Sequence, residues 1–220
     1  MKNVIIAGAT GMVGQLVLEE CLQRPDVAKV TSLVRRRTGN RLPKLDEIAV
    51  ADFLDYSALE KYFKEQDIAF FCIGVYTGRF PPEEFRKITV DYTKAFAETL
   101  RRNSAKTSFC FLSGAGADPS EKSRMQFARD KGAAENFLSS LQFSALHIFR
   151  PAYIYPVTPR KEPNFSYRVF RALYKPLFSW IYPNIGISSV QLAQAMVDAG
   201  FSGHEKQVLE NKDIRAMIRK

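Results

Sequence analysis

The sequence has few of the residues that build disulfide frameworks or metal centres. Among its 220 residues there are 3 cysteines and 2 histidines. An odd number of cysteines without paired spacing argues against a disulfide framework and favours buried thiols in a reducing compartment. His147 and His204 lie far apart and have no potential ligands at metal spacing, so we expect no metal site.

Long hydrophobic runs are also missing. No stretch reaches the roughly 18 uninterrupted apolar residues that a membrane-spanning helix needs. Near the start, Met1–Asn3 leads directly into the apolar run Val4–Ala7, which is too short for the hydrophobic part of a signal peptide. We therefore expect a cytoplasmic protein without a transmembrane segment. Its length and its 46% of hydrophobic residues suit one domain with a sizeable core.

The formal net charge of +9 leaves three kinds of partner open. They are nucleic acid, an anionic membrane surface and an anionic small ligand. The basic residues are spread along the chain apart from one cluster, and there is no RNA-binding motif, zinc finger or recognisable DNA-reading helix. We therefore expect no nucleic-acid partner, and the charge alone does not choose between the other two.

Apolar runs and helical patterns alternate along the first 150 residues. The predicted strands are Asn3–Ala7, Lys29–Val34, Ile48–Ala51, Ile68–Ile73, Ser108–Leu112 and Ser144–Phe149. The predicted helices are Met12–Gln23, Tyr56–Phe63, Pro82–Asn103 and Lys122–Ser139. Such alternation predicts βαβ units, and hence an α/β fold of the Rossmann type with a doubly wound parallel sheet.

The pattern changes at Pro151, after which repeated prolines break the chain into short pieces. We predict a single domain, in which residues 1–150 form the core and residues 151–220 form a small C-terminal lobe on the substrate side. Ligands of doubly wound sheets bind at the carboxyl ends of the strands. We therefore expect the functional residues directly after each strand.

A glycine-rich loop follows the first predicted strand and precedes the first predicted helix. Its sequence, GATGMVG, has the spacing G-x-x-G-x-x-G. The first glycine permits a tight turn, the second lets the backbone approach a pyrophosphate, and the third lets the helix pack close to the strand. The helix N-terminus then faces the negative charge. We predict that the core binds a dinucleotide, and that this loop contacts it through Gly8, Thr10, Gly11, Met12, Val13 and Gly14.

The end of the second predicted strand bears on the choice between NAD and NADP. NAD sites usually offer an acidic side chain there, which bonds the ribose hydroxyls. This sequence instead has Arg35, Arg36 and Arg37 after Val34, and guanidinium groups match a 2′-phosphate in geometry and charge. We predict NADP(H) as the cofactor, bound by Arg35 and Arg36; the alternative is a solvated basic loop.

Two later strand ends supply further candidates for cofactor binding. Asp52 and Phe53 follow the third predicted strand and could flank the adenine, with the carboxylate accepting a hydrogen bond from the adenine amino group. Gly74 follows the fourth strand and would let the backbone pass close to the adenosine ribose. The alternative for Gly74 is an ordinary turn glycine.

Short segments along nearly the whole chain carry a resemblance to a known superfamily. They are the loop Gly8–Gly14, Arg35-Arg36, Asp52-Phe53, Cys72–Gly74, Phe111–Ala117, Lys131-Gly132, Phe149–Pro156 and Leu209–Asn211. Together they resemble the atypical and extended branches of the short-chain dehydrogenase/reductase superfamily, and in particular the NADPH-binding HIV Tat-interacting protein family. The glycine loop is common to many families, whereas the order of the later segments is more specific.

The resemblance implies a site with three catalytic groups. A serine bonds the substrate oxygen, a tyrosine transfers the proton, and a lysine four residues later holds the nicotinamide ribose and lowers the pKa of the tyrosine. Ser113 matches the serine and Lys131 the lysine, while Pro151 falls beside the cofactor. The tyrosine position holds Phe127, which has no ionisable proton, so the usual acid–base step is absent there. Ser113 and Lys131 also have plainer interpretations, as a strand-end serine bonding local backbone and a solvated helix lysine.

Other groups near the predicted strand ends could replace the tyrosine. The tyrosines Tyr76, Tyr153 and Tyr155 are expected there, although packing is the interpretation we favour for each. Asp118 and Glu121 flank the loop that carries Ser113 and could move a proton. None of the five stands out from the sequence alone.

The C-terminal part predicts two helices and one segment of open role. Residues 165–182 interleave aromatic and basic side chains, and could cap the substrate pocket, form a dimer contact or lie on a membrane surface. Packing in the pocket or core is the interpretation we favour. Ser188-Ser189 predicts the start of a helix over Val190–Ala199, with Gly200 as its stop, and Asn211–Lys220 predicts a terminal helix.

Two functional hypotheses of different classes follow. The first is an NADP(H)-dependent oxidoreductase or epimerase-like enzyme that acts on a small carbonyl or alcohol, with Ser113 holding the oxygen. The second is a non-catalytic module that holds NADP(H) as a redox sensor or regulatory scaffold. Phe127 favours the second, whereas Ser113 and Lys131 favour the first, which we adopt. Either a monomer or a homodimer is compatible with both.

Overall fold

Strands and helices alternate along the computed structural model, which describes residues 1–39, 41–157 and 186–218. The strands are β1 (Lys2–Ala7), β2 (Val27–Val34), β3 (Leu45–Ala49), β4 (Ile68–Phe71), β5 (Ser108–Leu112), β6 (Ala145–Arg150), β7 (Tyr153–Tyr155), β8 (Gly186–Ser188) and β9 (Val208–Glu210). The helices are α1 (Met12–Gln23), α2 (Pro82–Arg86), α3 (Tyr92–Asn103), α4 (Gln126–Ser140), α5 (Ser189–Ser202) and α6 (Asn211–Ile218). A 3-10 helix spans Ser57–Phe63, and a π-helical segment, Lys87–Asp91, joins α2 to α3.

The central sheet has seven strands in the order β3-β2-β1-β4-β5-β6-β9. Every neighbouring pair is parallel, and β7 pairs with β8 in a separate small sheet. This is the Rossmann-type α/β fold that the sequence predicts. The strand order reverses between β1 and β4, so the carboxyl ends of these two strands frame the crevice in which such folds bind ligands.

Each face of the sheet has its own apolar core. Along β1, Val4 and Ile6 belong to the core shared with α1, α5 and α6, whereas Ile5 and Ala7 belong to the core shared with α3 and α4. Alternate residues of a strand point to opposite faces, so a strand that is apolar throughout is covered on both sides. The second core is rich in aromatic rings, with Phe96 in edge contact with its neighbours. The three cysteines are free thiols buried inside the fold.

Two predicted elements, Met12–Gln23 and Ser108–Leu112, are confirmed residue for residue. The predicted start of α4 at Lys122 is wrong, because α4 begins at Gln126. The carboxylate of Asp118 accepts hydrogen bonds from the backbone N–H groups of Ser120, Lys122 and Ser123, and holds this stretch in a turn. Such local side-chain bonds compete with the helix.

The predicted helix stop at Gly200 is also wrong. Gly200 lies buried inside α5, where a Cβ would come within 2.9 Å of the Phe70 ring, so the glycine permits close packing of helix on sheet. The helix ends at Gly203, which has a φ of +76°. The predicted N-cap is confirmed, since Ser188 and Gln191 form a capping box.

The C-terminal residues contribute to the sheet as well as to the loops above it. Strand β9, which the sequence analysis missed, pairs with β6, and α5 packs beside α1. The aromatic and basic segment 165–182 and the end of the chain at 219–220 lie outside the described residues. In the part that the structure describes, no helix has the length and apolar character to cross a membrane.

Two glycines of the glycine loop lie so close to other backbone that a side chain does not fit there. Gly8 has a φ of +91°, and a Cβ there would lie 2.6 Å from the carbonyl carbon of Cys72. A Cβ on Gly14 would lie 2.2 Å from the carbonyl oxygen of Gly8. Both distances are too short for real atoms, so any larger side chain must displace backbone.

We expect Gly14→Ala to destabilise the fold by about 1–3 kcal/mol, because the added methyl overpacks a rigid backbone contact. For a domain of this size that lowers Tm by roughly 2–12 °C. Gly74→Ala is the matched control, since a Cβ there has no atom within 4 Å. Thermal unfolding followed by circular dichroism measures both. An equal Tm for the two variants would contradict the steric requirement for glycine at position 14.

Candidate functional site

A cavity of about 720 Å³ lies over the carboxyl ends of β1, β4, β5 and β6. The residues after these strands and two residues of α4 line it. They are Gly11, Met12, Val13, Cys72, Gly74, Val75, Tyr76, Thr77, Arg79, Leu112, Ser113, Gly114, Ala115, Phe127, Lys131, Pro151, Ala152, Tyr153, Ile154 and Pro156. The sequence prediction that the functional residues follow the strands therefore matches the position of the cavity.

The glycine loop forms one end of this cavity. Gly11 is the N-cap of α1 and offers no side-chain cap, and the first turn of the helix has no acidic residue. Unpaired N–H groups and the helix dipole at such a terminus attract an anion. Gly11, Met12 and Val13 line the cavity, whereas Thr10 is exposed at the tip of the loop and lies outside the lining.

The arginine cluster lies beside the glycine loop. Ala7 at the end of β1 pairs with Leu33 of β2, so Arg35 and Arg36 emerge at the same edge of the sheet as Gly8. Both side chains are exposed, and within the described residues neither makes an ion pair or a side-chain hydrogen bond. The cluster is therefore accessible to a ligand that leaves the cavity along this edge.

The remaining predicted adenosine contacts lie in different surroundings. Asp52 is exposed, and its carboxylate accepts a hydrogen bond from the backbone N–H of Leu54. The ring of Phe53 is buried in the core between Tyr56 and Tyr92, so it has little surface to offer a ligand. Gly74 lines the cavity with open space around its Cα.

Ser113 and Lys131 come together on the opposite wall. The backbone N–H of Ser113 donates to Phe149 O at 2.8 Å, which ties the ends of β5 and β6 together. The Lys131 ammonium donates to Leu112 O at 3.0 Å and lies 4.9 Å from the centre of the Phe111 ring. Because Lys131 is only 6% exposed, it is not the solvated helix lysine of the alternative interpretation.

The environment of Lys131 changes its basicity. Burial lowers the pKa of Lys131 to about 8, because desolvation disfavours the ammonium form. The negative charge of Glu135, one helical turn further on, opposes this shift. A lysine with such a pKa is close to its titration midpoint at physiological pH, as groups at functional sites often are.

Phe127 occupies the same wall, one turn before Lys131. Its ring packs against the backbone of Gly114, where a Cβ would lie 2.5 Å from Phe127 Cζ. The ring therefore covers the loop that follows Ser113, and it lines the cavity together with Lys131. The i and i+4 spacing on α4 brings both side chains to one side of the helix.

A buried ion pair, which the sequence analysis did not identify, lies behind Ser113. The Ser113 hydroxyl donates to the Glu135 carboxylate, and the Arg150 guanidinium binds both oxygens of that carboxylate. The hydrogen bonds that Arg150 donates to Glu135 raise the pKa of Arg150 above its usual range. The sequence held a signal for Glu135, since it follows Lys131 by four residues on one helix face. Arg150 lies in the segment Phe149–Pro156, which carries part of the family resemblance.

The other candidate proton carriers divide into two groups. Tyr76 and Tyr153 line the cavity, whereas Tyr155, Asp118 and Glu121 lie outside its lining. Asp118 instead organises the turn before α4. In the described ranges, 1–39, 41–157 and 186–218, no cluster of three metal-ligating side chains occurs.

Comparison with known proteins assigns this arrangement to a family. A family model described as NAD(P)H-binding matches residues 8–165, which include the glycine loop, Ser113 and Lys131. The chain belongs to this NAD(P)H-binding family. The chain is also 27% identical over 218 residues to Protein HTATIP2 of Rattus norvegicus, a match that covers 97% of this chain and 88% of the relative.

Two further similarities extend over nearly the whole chain. A mitochondrial protein named fmp52, from Emericella nidulans, is 26% identical over 94% of this chain and 91% of its own length. The fold is similar to UDP-N-acetylglucosamine 4-epimerase from Methanobrevibacter ruminantium, with a TM-score of 0.71 and 19% identity over 95% of this chain and 76% of that one. The predicted resemblance to atypical short-chain dehydrogenases/reductases of the Tat-interacting protein type is confirmed.

The cavity suits the NAD(P)H dinucleotide of this family. The uncapped N-terminus of α1 can receive the pyrophosphate, and Lys131, with three ammonium protons and one protein acceptor, can donate to ribose hydroxyls. When bound, a nicotinamide supplies or accepts a hydride. The burial of Cys72 raises its pKa to about 12, so this thiol stays protonated at the cavity wall and is not a nucleophile.

We expect the amine of Lys131 to react with acetic anhydride with a pH midpoint near 8, because burial lowers its pKa to about 8. A lysine peptide added as an internal standard should show a midpoint near ~10.4. Trace labelling between pH 6 and 11, read by mass spectrometry, measures both midpoints. A Lys131 midpoint equal to that of the peptide would show that burial does not act on this amine.

Proposed function

We propose that this chain is an NADP(H)-dependent oxidoreductase or epimerase-like enzyme that acts on a small alcohol or carbonyl compound. One observation carries the proposal: a single cavity joins the uncapped N-terminus of α1 to Ser113 and Lys131. A dinucleotide laid along this cavity brings its nicotinamide end to the two polar side chains. The remaining volume, next to Tyr76 and Tyr153, takes the substrate.

The choice of NADP(H) over NAD(H) rests on Arg35 and Arg36. These guanidinium groups lie at the edge of the sheet beside the glycine loop. Neither forms an ion pair or a side-chain hydrogen bond with a residue that the structure describes. A 2′-phosphate is the part of NADP(H) that such groups bind in bidentate geometry. Asp52 and the backbone of Phe53 lie further along the same edge, where the adenine would follow.

Each residue at the nicotinamide end has a role in this proposal. Lys131 donates to the ribose hydroxyls and so fixes the position of the nicotinamide. Ser113 bonds the substrate oxygen. Pro151, which lines the cavity after β6, packs against the cofactor, and the residues that follow it form the substrate side of the single domain. We place the protein in the cytoplasm; the fungal relative, a protein named as mitochondrial, makes the mitochondrion the alternative.

A second candidate function is favoured by Phe127. A phenylalanine on the cavity wall one turn before Lys131 cannot transfer a proton, so the chain could hold NADP(H) without turnover, as a redox sensor or regulatory scaffold. The two functions share the cofactor site and differ in whether a small alcohol or carbonyl is converted.

We expect the double variant Arg35→Ala, Arg36→Ala to weaken NADPH binding by about 10- to 150-fold, the range for loss of charge-assisted hydrogen bonds. NADH binding should change by less than about threefold, because NADH has no 2′-phosphate. Calorimetric titrations of wild type and variant with each nucleotide measure the selectivity.

The matched control for this experiment is Arg101→Ala with Arg102→Ala. It also removes two positive charges, but Arg101 donates to Leu141 O and Arg102 pairs with Glu60, at the end of α3. The control should leave both affinities unchanged. Equal losses of NADPH and NADH affinity in the first variant would mean that Arg35 and Arg36 form only a solvated basic loop.

We expect Phe127→Tyr to raise NADPH-dependent reduction of small carbonyl compounds by about 10²-fold, the usual contribution of a positioned acid–base group. Phe137→Tyr, on the same helix but outside the cavity lining, is the control and should have no effect. Initial rates with a panel of simple aldehydes and ketones provide the measurement. Fast turnover by the wild type, unchanged by Phe127→Tyr, would contradict the view that phenylalanine at position 127 removes a catalytic acid–base group.

A further inference from the structure

The buried pair behind Ser113 fixes the direction of its hydroxyl proton. Arg150 Nε lies 3.1 and 3.2 Å from the two oxygens of Glu135, and Arg150 Nη2 also donates to Oε2. A carboxyl group whose two oxygens both accept from a guanidinium is ionised and can only accept hydrogen bonds. The Ser113 hydroxyl must therefore be the donor in its bond to Glu135.

This direction determines what Ser113 can offer to a ligand. A hydroxyl has one proton and two acceptor lone pairs, and the proton of Ser113 is used by Glu135. Ser113 lines the cavity, so what it presents there is an acceptor. An alcohol can donate to that oxygen, whereas a carbonyl oxygen cannot. To donate a hydrogen bond to a carbonyl, the Ser113 hydroxyl would have to turn away from Glu135. That carboxylate is only 3% exposed, so the loss of a hydrogen-bond donor there costs free energy that water cannot restore.

We propose that Glu135 orients the Ser113 hydroxyl to accept a hydrogen bond from an alcohol substrate, and that Glu135 receives the alcohol's proton through Ser113. This inference rests on the proposed oxidoreductase function and names the substrate form that the site selects. Glu135 is a positioning residue and proton acceptor that acts through Ser113, and of these two residues only Ser113 touches the substrate.

The reaction balances as the oxidation of an alcohol. The alcohol O–H bond breaks and its proton passes to Ser113 Oγ, while the hydroxyl proton of Ser113 passes to Glu135. The C–H bond breaks with its electron pair, and the hydride goes to the oxidised nicotinamide cofactor. The products are a carbonyl compound, the reduced cofactor and one proton on Glu135, which is then released to water.

Two other residues of α4 that line the cavity, Phe127 and Lys131, are poorly suited to this role. Phe127 has no ionisable proton. Lys131 already donates to Leu112 O, and in its ammonium form it has no lone pair to accept a proton. The Glu135 carboxylate has lone pairs that can accept a proton, and the alcohol proton becomes strongly acidic as the carbon loses hydride.

The test measures binding in complexes that cannot transfer hydride. Cyclohexanol is titrated into the protein–NADPH complex and cyclohexanone into the protein–NADP⁺ complex, both by calorimetry. Ser113→Ala leaves the Glu135–Arg150 pair intact. We expect it to weaken cyclohexanol binding by about 2- to 12-fold, the range for one hydrogen bond, with cyclohexanone changed by less than twofold.

Glu135→Gln and Glu210→Gln form the second comparison. Both remove a carboxylate partner of Arg150, but Glu210, bonded to Arg150 Nη1 at 2.9 Å, does not touch Ser113. Glu135→Gln should weaken cyclohexanol binding and leave cyclohexanone binding equal or stronger, because the hydroxyl of Ser113 is free to turn. Glu210→Gln should change neither. If Glu135→Gln does not fold, Ser113→Ala still decides the question.

Three results would overturn the proposal. In the first, Ser113→Ala weakens the binding of cyclohexanone and leaves the binding of cyclohexanol unchanged. Ser113 would then donate a hydrogen bond to the ligand rather than accept one. In the second, NADPH binds to the wild type but neither probe does, so the cavity is not an alcohol site although the cofactor proposal stands. In the third, NADPH itself does not bind, which removes the proposed function together with the inference.

Discussion

The close approach of backbone around Gly8 is the constraint on which the rest of the structure depends. Only glycine at positions 8 and 14 lets the loop after β1 lie against Cys72 while α1 starts immediately behind it. The same contacts direct α1 with its N-terminal N–H groups towards the crevice between β1 and β4, where no side chain caps them. The steric requirement of the fold and the anion-binding property of the site therefore have one origin.

The far end of the cavity depends on a different interaction, a buried group of charges. Lys131 and Arg150 are held beside Glu135, with Ser113 hydrogen-bonded to the carboxylate. A buried carboxylate needs its partners, and loss of one of them leaves an uncompensated charge. The group thus fixes Ser113 at a cavity wall where Phe127 supplies only packing. The two ends are joined by the strand ends, which the backbone bond from Ser113 to Phe149 holds in register.

The sequence predicted the parts of the molecule that have a local signal. The glycine loop, α1 and β5 are such parts, because their apolar spacing or glycine pattern lies within a short stretch. The extent of β3 was missed because the polar residues Asp46 and Glu47 interrupt the apolar pattern at the sheet edge. Strand β9 was missed because its partner β6 is distant in sequence. Gly200 was misread because close packing against the sheet, rather than a helix end, requires it. Ser113, Phe127 and Lys131 share one cavity wall as expected. The role of Glu135 behind them depends on its tertiary contacts with Ser113 and Arg150, which the sequence alone does not show.

The central claim is that one dinucleotide extends from the N-terminus of α1 to Lys131. The most direct measurement is a crystal structure of the protein with NADPH bound. The account predicts the pyrophosphate against the backbone N–H groups of Gly11–Val13, the 2′-phosphate at Arg35 and Arg36, and a nicotinamide ribose hydroxyl bonded to the Lys131 ammonium. A dinucleotide bound away from the glycine loop, or one with its nicotinamide outside the cavity that holds Lys131, would contradict it.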